Sequence, residues 1–287
     1  MIVSHVGGGL GNQLFQYAAG RTLSLRTGEP LVYNTAHLTN DPIRDYELDI
    51  FNTAGRLMNR LEAFRVRYSE SVKLAPLRRI APWPALQVFR DRDIGFNPAF
   101  NDLGGNVFLK GNFQSEKYFQ SAAAEIRRDL TFRRDPDERN QQMISQIGGV
   151  TAVAVHVRRG DIAANPYLHS RHGLCDLDYY RVALDHVTQR VAGATFFVFS
   201  DDPAWTRENL RVPEPAIFVS HNTGKRNFED LRLMTQCRHF IIANSTFSWW
   251  GAWLSQSPGK IVVAPRKWFA DASISDKDLI PDAWVRL

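Results

Sequence analysis

The feature that most constrains this chain is the alternation of short apolar runs with helical patterns in its second half. Apolar, β-rich runs predict strands at 151–157, 195–199, 216–219, 239–243 and 260–264. Two apolar stripes at helical spacing lie between them: Leu177, Tyr180, Leu184, Val187 and Val191, behind the predicted N-cap Asp176, and Phe228, Leu231 and Met234. This alternation predicts a parallel sheet covered by helices on both faces.

The N-terminal part predicts a second unit of the same class. Residues 2–6 predict a strand that ends in glycines, Asn12 is a predicted N-cap for the following helix, and residues 31–33 predict the next strand. A strand, a glycine turn, a helix and another strand form a βαβ unit whose turn faces a ligand. Further along, residues 107–113 predict a strand and residues 116–130 a helix.

We therefore expect an α/β protein with two Rossmann-like domains that face each other across a cleft. The first covers residues 1–145 and the second residues 146–287, and the polar stretch 133–149 is the candidate junction. Residues 51–92 mix apolar residues with many arginines and three prolines: Arg56, Arg60, Arg65, Arg67, Arg78, Arg79, Arg90, Arg92, Pro76, Pro82 and Pro84. A solvated helical insertion is favoured for this region over a surface that contacts a membrane or an acceptor.

Charge and composition narrow the range of partners. The net charge of +5 is compatible with a phosphate-bearing ligand, nucleic acid or an acidic membrane surface. Nucleic-acid binding is not favoured, because the basic residues are not interleaved with an aromatic platform. The two cysteines, Cys175 and Cys237, predict buried free thiols and a reducing compartment. The sequence contains no signal peptide and no apolar run long enough to span a membrane, so we expect a cytoplasmic protein, with peripheral membrane contact left open.

The sharpest motif is His156-Val157-Arg158-Arg159-Gly160-Asp161, directly after the predicted strand at 151–157. Ligands of open α/β sheets collect at the carboxyl ends of the strands. Two adjacent arginines at such a position suit a pyrophosphate, because the planar guanidinium donates paired hydrogen bonds to phosphate oxygens. Asp161 can orient one guanidinium, and a surface Arg–Asp pair is the structural alternative.

A glycine cluster, Gly7-Gly8-Gly9-Leu10-Gly11-Asn12-Gln13, follows the first predicted strand. Glycine allows a backbone to approach a ligand closely, and the helix N-terminus behind it offers free N–H groups. The cluster lacks the third glycine of the dinucleotide fingerprint and the Gly-Lys-Ser/Thr ending of a P-loop. A purely structural turn is the alternative.

Two further polar segments follow predicted strands. Ser200-Asp201-Asp202 can contact a ribose or a base, although Asp202 before Pro203 also fits a helix start; a metal site is not favoured, because no partner carboxylates lie nearby in sequence. The segment 244–248, which contains Asn244, Ser245, Thr246 and Ser248, can cradle phosphate at a helix start. Trp249, Trp250 and Trp253 cover several faces of one short helix, which favours packing over sugar stacking.

Taken together, these residues resemble a bacterial-type α-1,2-fucosyltransferase of glycosyltransferase family 11. The resemblance runs over nearly the whole chain and rests on ordered segments at 8–18, 111–119, 156–161, 172–180, 200–202 and 244–250. The His-x-Arg-Arg-x-Asp element is shared with α-1,6- and protein O-fucosyltransferases, whereas the opening Gly-Asn-Gln and the Ser-Trp-Trp segment are typical of the α-1,2 group.

The resemblance implies a GT-B-like fold, GDP-fucose as donor, a β-galactoside-terminated oligosaccharide as acceptor, inversion at the anomeric carbon, and no metal or other cofactor. An arginine of the pair Arg158–Arg159 would hold the β-phosphate in place of a cation. The segments at 200–202 and 244–248 would contact guanosine and phosphates, and Gly8, Gly9, Asn12 and Gln13 would face the fucose and the acceptor. The product would be a surface glycan such as an O-antigen, built on the cytoplasmic side of the membrane.

The general base is not assigned by the sequence. His5, His156, Asp161 and Asp45 are candidates, and Asn12 can position the acceptor hydroxyl without taking its proton. An arginine partner would depress the pKa of Asp161 and make it a poor base. Two alternatives stay open: a fucosyltransferase of another linkage, α-1,6 or to protein, and a non-catalytic protein that binds a GDP-sugar.

Overall fold

The computed structural model describes residues 1–71, 73, 85–91 and 94–287; the side chains of Asn40 and Asp161 lie outside that description. The chain divides into two compact units. Unit 1 comprises Met1–Arg133 and Lys277–Leu279, and unit 2 comprises Arg134–Asp276 and Ile280–Leu287. Unit 2 begins at the start of the predicted junction 133–149, so the predicted boundary at residue 145 falls inside a helix of that unit.

Unit 1 is built on a parallel sheet with helices around it. Its strands are β1 (Ile2–His5), β2 (Leu31–Asn34), β3 (Arg56–Leu57), β4 (Gln87–Arg90) and β5 (Val107–Lys110), and its α-helices are α1 (Leu10–Thr27), α2 (Arg60–Glu70) and α3 (Ala123–Asp129). The strands lie in the order β3-β2-β1-β5-β4. The N-terminal strand is therefore central, with Ile2 paired with both Leu31 and Val107.

Buried hydrogen bonds join β1 to α1. The Ser4 hydroxyl donates to the Gln16 carbonyl at 2.8 Å, and the Gln16 side-chain oxygen accepts from the Gly7 amide at 2.8 Å. Ser4 is fully buried and Gln16 nearly so. Because buried polar groups are costly without partners, these bonds fix the helix on the sheet and set the course of the turn at 6–9.

Three sequence predictions in unit 1 need correction. Asn12 is not the N-cap, because the helix begins at Leu10 with Gly9 as its cap. The predicted helix at 116–130 is two 3₁₀ turns followed by α3, since Phe119 leaves helical geometry and packs its ring, fully buried, 6.0 Å from Phe15. The arginine-rich region 51–92 is not only helical, because β3 and β4 join the sheet on either side of α2; Pro76, Arg78, Arg79, Pro82, Pro84 and Arg92 lie outside the described residues.

Unit 2 confirms the predicted alternation of strands and helices. Its strands are β6 (Thr151–Val157), β7 (Ala194–Ser200), β8 (Ala216–Val219), β9 (His239–Ile241), β10 (Val262–Ala264) and β11 (Val285–Arg286), and its helices are α4 (Glu138–Gly148), α5 (Gly160–Ala164), α6 (Pro166–His172), α7 (Leu177–Thr188), α8 (Pro203–Asn209), α9 (Phe228–Gln236) and α10 (Thr246–Leu254). The strands are parallel, in the order β11-β10-β9-β6-β7-β8. The carboxyl ends of β6, β7, β8 and β9 therefore share one edge.

Several side chains in unit 2 have the capping and packing roles that the sequence predicts. Asp176 caps α7, since its carboxylate accepts a hydrogen bond from the Tyr179 amide at 2.7 Å. Trp249, Trp250 and Trp253 are buried and pack on one another, which confirms packing over sugar stacking. Cys175 and Cys237 form no disulfide, as predicted; Cys237 is buried, whereas Cys175 is only partly buried. Among the described residues, no helix combines the length and the apolar character needed to cross a bilayer.

The contact between α1 and β1 provides a test of the unit 1 core. A Cβ added at Gly20 would lie 2.9 Å from Leu31 Cδ1 and 3.0 Å from Ser4 Cβ, closer than normal contact. We expect Gly20→Ala to lower the free energy of unfolding by about 1–3 kcal/mol, the usual cost of overpacking. Chemical denaturation would measure the change.

Gly148→Ala is the matched control, because nothing lies within 4 Å of a Cβ at this helical position. Alanine favours a helix over glycine, so the control should leave stability unchanged or slightly raised. Equal destabilisation by both substitutions would contradict the packing argument.

Candidate functional site

A cavity of about 300 Å³ opens at the carboxyl ends of β6, β7 and β8 in unit 2. Its lining comes from the ends of these strands, the start of α8, the loop after β8, helix α9 and the start of α10: His156, Arg158, Ser200, Asp201, Pro203, Val219, Ser220, Asn222, Thr223, Gly224, Asn227, Asp230, Met234 and Phe247. This is the edge at which open parallel sheets bind ligands. Two of the predicted segments, at 156–159 and 200–202, therefore meet here.

Arg158 is held at the cavity by Asp201. The guanidinium Nε lies 3.0 Å from Asp201 Oδ2, while Asp201 Oδ1 accepts a hydrogen bond from the Arg159 amide at 2.8 Å. One carboxylate thus fixes both the side chain of Arg158 and the backbone that follows it. The sequence proposed Asp161 as the orienting partner, and the structure shows Asp201 in that role; the side chain of Asp161 is not described.

Arg159 has a different environment from Arg158. Its guanidinium carbon lies 3.6 Å from the centre of the Trp205 ring, and its Nε is 3.9 Å from Asp202 Oδ2. A cation over a tryptophan face is attracted to the ring electrons. Arg159 is not among the residues that line the cavity. Of the two predicted phosphate-binding arginines, only Arg158 is therefore placed at the cavity of unit 2.

Residues 200–202 have structural partners as well as a cavity position. Ser200 Oγ accepts from the Asp202 amide at 3.0 Å and from Thr206 Oγ at 2.9 Å. Asp202 caps α8, accepting from the Trp205 amide at 3.2 Å, which is the helix-start role that the sequence also allowed. Ser200 and Asp201 line the cavity, whereas Asp202 does not.

His156 is a neutral side chain of the cavity wall. It is buried, and burial together with the nearby charge of Arg158 lowers the pKa of its imidazole to about 3. Its ring lies 5.8 Å from that of Phe247, and Nδ1 has no hydrogen-bond partner among the described residues. An imidazole with this pKa is a weak base at neutral pH, but it can exchange one hydrogen bond with a ligand.

The segment 244–248, for which the sequence predicts a phosphate cradle, lies at the start of α10, and its Asn244 and Ser248 side chains bind backbone carbonyls. The Asn244 amide is buried and donates to three backbone carbonyls, those of His172, Gly173 and Trp268. Ser248 is also buried, and its hydroxyl donates to the Ser245 carbonyl. Ser245 is the N-cap residue of α10, and Thr246 is half-buried. None of these four lines the cavity, whereas their neighbour Phe247 does, so Asn244 and Ser248 act as clamps on the fold.

The sequence reading missed the loop after β8 and the start of α9. Ser220, Asn222, Thr223, Gly224, Asn227 and Asp230 all line the cavity. A signal for them was present, because a polar run follows the predicted strand 216–219 directly, at the same edge as the arginines. Its adjacent charges, Lys225 and Arg226, come several residues after the strand end and not directly after it, unlike Arg158 and Arg159, so the run resembles an ordinary polar loop.

Asp230 has the most perturbed carboxyl group in the cavity. Burial, assisted by the charge of Glu229, raises its pKa to about 7, against a smaller opposing effect of the hydrogen bond from Asn222. The Asn222 amide donates to Asp230 Oδ1 at 2.9 Å. Strongly perturbed carboxyls in a cavity are frequent at functional sites. Among the described residues, no group of three His, Cys, Asp or Glu side chains is arranged to hold a metal ion.

The glycine-rich opening lies in unit 1. Gly8 has a φ of +73°, and a Cβ there would lie 3.0 Å from Asn12 Nδ2. A Cβ on Gly9 would lie 3.3 Å from the guanidinium of Arg44. Asn12 is half-buried, and its side-chain oxygen accepts from the Gln114 amide at 2.8 Å. Side chains at the two glycines would thus collide with Asn12 and Arg44.

Gln13 is fully buried and does not present its amide to solvent. Its nitrogen donates to the carbonyls of Gly8 and Asp45 at 2.9 and 2.8 Å, and its oxygen accepts from the Glu47 amide at 3.0 Å. Gln13 therefore ties the glycine turn to the segment 45–47.

His5, one of the candidate bases, lies at the carboxyl end of β1. Burial, followed by the charges of His37 and Lys110, lowers the pKa of its imidazole to about 4. Its ring meets that of His37 edge-on at 4.8 Å. The structure therefore describes two candidate base histidines, His5 and His156, and both are neutral and weakly basic at pH 7.

The known proteins that this chain resembles in sequence are glycosyltransferases. A sequence model described as Glycosyl transferase family 11 matches residues 97–287. An alpha-1,2-colitosyltransferase of Escherichia coli is 30% identical over 100% of this chain and 99% of its own length. The O-antigen biosynthesis glycosyltransferase WbnK, also of Escherichia coli, is 32% identical over 99% of both chains. A galactoside alpha-(1,2)-fucosyltransferase 2 of Sus scrofa is 27% identical over 86% of this chain and 68% of its own.

Solved structures confirm the GT-B-like class of the fold. Arabidopsis thaliana FUT1, in a mutant form with GDP, has a TM-score of 0.53 and 13% identity over 91% of this chain and 69% of its own. The fucosyltransferase NodZ from Bradyrhizobium has a TM-score of 0.51 and 14% identity over 88% of this chain and 90% of its own. Each unit of the present chain is Rossmann-like, as predicted.

The raised pKa of Asp230 leads to a stability prediction. Because the folded-state pKa is about 7 and the ordinary value is 3.8, the folded protein loses stability as the pH rises between these values, and the full loss is present above pH 7. Asp230→Asn removes the ionisation, so it should raise the Tm at pH 8 by about 2–5 °C and have little effect near pH 4. Thermal unfolding followed by circular dichroism would measure this.

Asp178→Asn is the control, since this carboxylate on α7 is 85% exposed. Its removal should change the Tm little at either pH. A lower Tm for Asp230→Asn at pH 8 would mean that the ionised carboxylate stabilises the fold, contrary to the argument.

Proposed function

Because the chain belongs to glycosyl transferase family 11, we propose that it transfers L-fucose from GDP-fucose to the 2-hydroxyl of a terminal galactose in a surface glycan. Membership of the family makes it a glycosyltransferase that uses a nucleotide-sugar donor and a glycan acceptor. Donor, linkage, acceptor and independence of metal ions are parts of the proposal. The observation that carries it is the placement of Arg158, held by Asp201, at the cavity of unit 2.

Arg158 supplies the positive charge that a pyrophosphate needs. Its guanidinium contacts Asp201 through Nε and belongs to the wall of the cavity. A guanidinium donates in a planar fork, which matches two oxygens of a phosphate. The loop after β8 adds uncharged residues, Thr223 and Gly224 among them, to the same wall. We place the diphosphate against these groups.

Asp230 favours guanine among the nucleobases. Guanine presents two adjacent donors, the N1–H and the 2-amino group, to a carboxylate that faces its edge. Uracil has one ring N–H on that edge, and adenine has an acceptor at N1. A carboxylate at the cavity, fixed by an amide on one oxygen, therefore suits a guanine nucleotide better than the others.

The names of the relatives support the α-1,2 linkage. Both the colitosyltransferase and the mammalian galactoside transferases are described as alpha-1,2 enzymes, and WbnK is described as an O-antigen biosynthesis glycosyltransferase. We accordingly propose an α-1,2 product in a bacterial surface polysaccharide. The same proposal includes a reaction at the cytoplasmic side of the membrane.

In the proposed reaction, the acceptor oxygen forms a bond to fucose C1 as the bond from C1 to the β-phosphate oxygen breaks. The hydroxyl proton leaves to a base or to water, and GDP departs with the electron pair of the broken bond. Negative charge grows on the β-phosphate in the transition state, where the sugar is oxocarbenium-like. Arg158 stabilises that charge and takes the place of a metal ion. With pKa values of about 3 and 4, His156 and His5 are poorly suited to accept the proton at neutral pH.

Colitose is the second candidate sugar, because a relative aligned over the whole chain is named for it. Colitose is 3-deoxyfucose, so a donor site for either sugar differs only in its contacts around one hydroxyl. GDP-fucose and GDP-colitose in the same assay distinguish the two. A fucosyltransferase of other linkage is distinguished by the linkage of the product, and a non-catalytic protein by the absence of turnover.

The purified protein should release GDP from GDP-fucose only when lactose is present, and should do so in excess EDTA. Product analysis by NMR should show a new α-1,2 linkage on galactose. GDP-mannose and a reaction without acceptor are the controls. Turnover that requires added metal would contradict the role given to Arg158. The absence of both turnover and GDP binding would overturn the proposal as a whole.

Loss of Arg158 should affect turnover far more than loss of Arg159. Arg158→Ala removes a donor from the position of the leaving phosphate, so kcat should fall about 10²–10³-fold, as for the loss of one preorganised donor. Arg159→Ala removes a side chain that stacks on Trp205 and does not line the cavity, so it should lower kcat less. Steady-state kinetics with GDP-fucose would measure both.

Arg181→Ala is the matched control, because this arginine of α7 is 65% exposed and makes only surface ion pairs. It should leave kcat unchanged. Near-normal turnover of Arg158→Ala would remove this residue from the mechanism.

A further inference from the structure

A buried pair of asparagines lies behind the cavity and contacts Asp230. Asn140 in α4 is fully buried, and Asn222 in the loop after β8 is 8% exposed. Asn140 Nδ2 donates to Asn222 Oδ1 at 3.0 Å, and Asn222 Nδ2 donates to Asn140 Oδ1 at 2.9 Å. The two side-chain amides thus form a closed, reciprocal pair between elements far apart in sequence.

The remaining hydrogen-bonding capacity of the pair is also used. The second proton of Asn222 Nδ2 goes to Asp230 Oδ1 at 2.9 Å, and that of Asn140 Nδ2 goes to Asp137 Oδ1 at 2.8 Å. Asn140 Oδ1 is also 2.9 Å from His221 Nε2, which must be the donor of that contact because the amide oxygen only accepts. A fully satisfied buried network has one favoured geometry, so it can hold a group in place.

The network runs from the surface to the cavity. At its outer end, Asp137 caps α4 and forms an ion pair with Arg226. At its inner end, one oxygen of Asp230 is bound by Asn222, and Asp230 lines the cavity. With one oxygen held by an amide, rotation of the carboxylate is restricted and the second oxygen has a defined direction.

We propose that the Asn140–Asn222 amide pair is the positioning element that fixes the Asp230 carboxylate for recognition of the 2-amino group and N1–H of a guanine base. This inference rests on the proposed function, because it takes a GDP-sugar as the ligand of the cavity. Asn140 and Asn222 are positioning residues in it, and only Asp230 touches the base. The pair provides selectivity by orienting Asp230, and its hydrogen bond favours the charged form of that carboxyl group against the effect of burial.

Several charged groups surround Asp230. Glu229 is its neighbour on α9, His221 and Arg226 lie in the loop after β8, and Asp137 belongs to the N-terminus of α4. His156 and Arg158 at the end of β6, with Asp201 at the end of β7, face the same cavity. Glu229 is itself paired with Arg232 at 2.7 Å. Asn222 supplies the hydrogen bond that favours the charged form of Asp230, whose pKa is raised to about 7.

The test compares GDP with IDP, whose hypoxanthine base lacks the 2-amino group but keeps the same diphosphate. Isothermal titration calorimetry from pH 6 to pH 8 gives the ratio of Kd for IDP to Kd for GDP. For the wild-type protein this ratio should reach about tenfold at pH 8, the usual effect of one hydrogen bond to a charged group, and should fall as Asp230 becomes protonated towards pH 6. Because GDP and IDP carry the same diphosphate, any effect of a substitution on diphosphate binding cancels in this ratio.

Asn222→Leu should lower the ratio at pH 8 to about twofold or less, because the carboxylate loses its orientation. It should also shift the rise of the ratio to higher pH, since the hydrogen bond that favours ionisation is lost. A merely structural role of Asn222 would weaken GDP and IDP binding equally and leave the pH dependence in place. Arg181→Met is the control, because this exposed arginine of α7 lies outside the network, and it should leave the ratio unchanged.

If Asn222→Leu does not fold, the double variant Asn140→Leu/Asn222→Leu replaces both amides with apolar groups of similar size and should give the same low ratio. In a double-mutant cycle with Asp230→Asn, the effects of Asn222→Leu and Asp230→Asn on the ratio should not add, since both remove the same contact. Additive effects, or an unchanged ratio in Asn222→Leu, would overturn the positioning role while leaving the proposed function intact. Equal binding of GDP, ADP and UDP by the wild-type protein would overturn both.

Discussion

The parallel register between β6 and β7 is the constraint on which the candidate site depends. His156 lies opposite Phe199 and Val157 opposite Ser200, so the two strands end together. Arg158 and Asp201 are then the first residues after the two strands, and Arg158 Nε lies 3.0 Å from Asp201 Oδ2. A shift of one residue would send the side chains at these positions to the other face of the sheet and separate the pair. The apolar residues of the strands that fix this register therefore also place the charge that is proposed to receive the diphosphate.

Adjacent arginines repel each other, and their surroundings keep them apart. Asp201 neutralises Arg158 and binds the amide of Arg159, while Trp205 receives the guanidinium of Arg159 on its face. Arg158 is thus held at the cavity and Arg159 beside it. Since Asp201 is only partly buried, its attraction for Arg158 is moderated by solvent, which leaves the guanidinium able to donate to an anion. A fully buried ion pair at this position would compete with the ligand more strongly.

The sequence predicted the strands of unit 2 and the position of Arg158 because both follow from local patterns. Strand 151–157 is a continuous apolar run, and a charged motif directly after such a run lies at the ligand edge of the sheet. The roles of the amides were harder to predict. Gln13 and Asn244 belong to conspicuous motifs, yet both are buried and bind backbone carbonyls. Asn222 and Asp230 belong to no motif. Their proposed roles arise because Asn222 binds both Asp230 and Asn140, and Asn140 is 82 positions away from Asn222 in the sequence. Long-range pairing of neutral side chains leaves no periodic trace in one sequence.

In the cavity, the burial of Asp230 lowers the stability of the fold but provides a carboxyl group that can recognise a ligand. A carboxyl group buried enough to have a pKa near 7 costs folding free energy when it is ionised, and an apolar residue would fill the same space at no such cost. The surrounding structure offsets part of this cost through the hydrogen bond from Asn222, which is itself fixed by Asn140. The network has a second consequence, because the amide pair links the N-terminus of α4 to the loop after β8. That loop has no regular strand or long helix of its own between β8 and α9, so its geometry depends on these side-chain contacts. The polar network therefore shapes one wall of the cavity, while the register of β6 and β7 shapes the other, and the candidate site is the space that these two independent constraints leave between them.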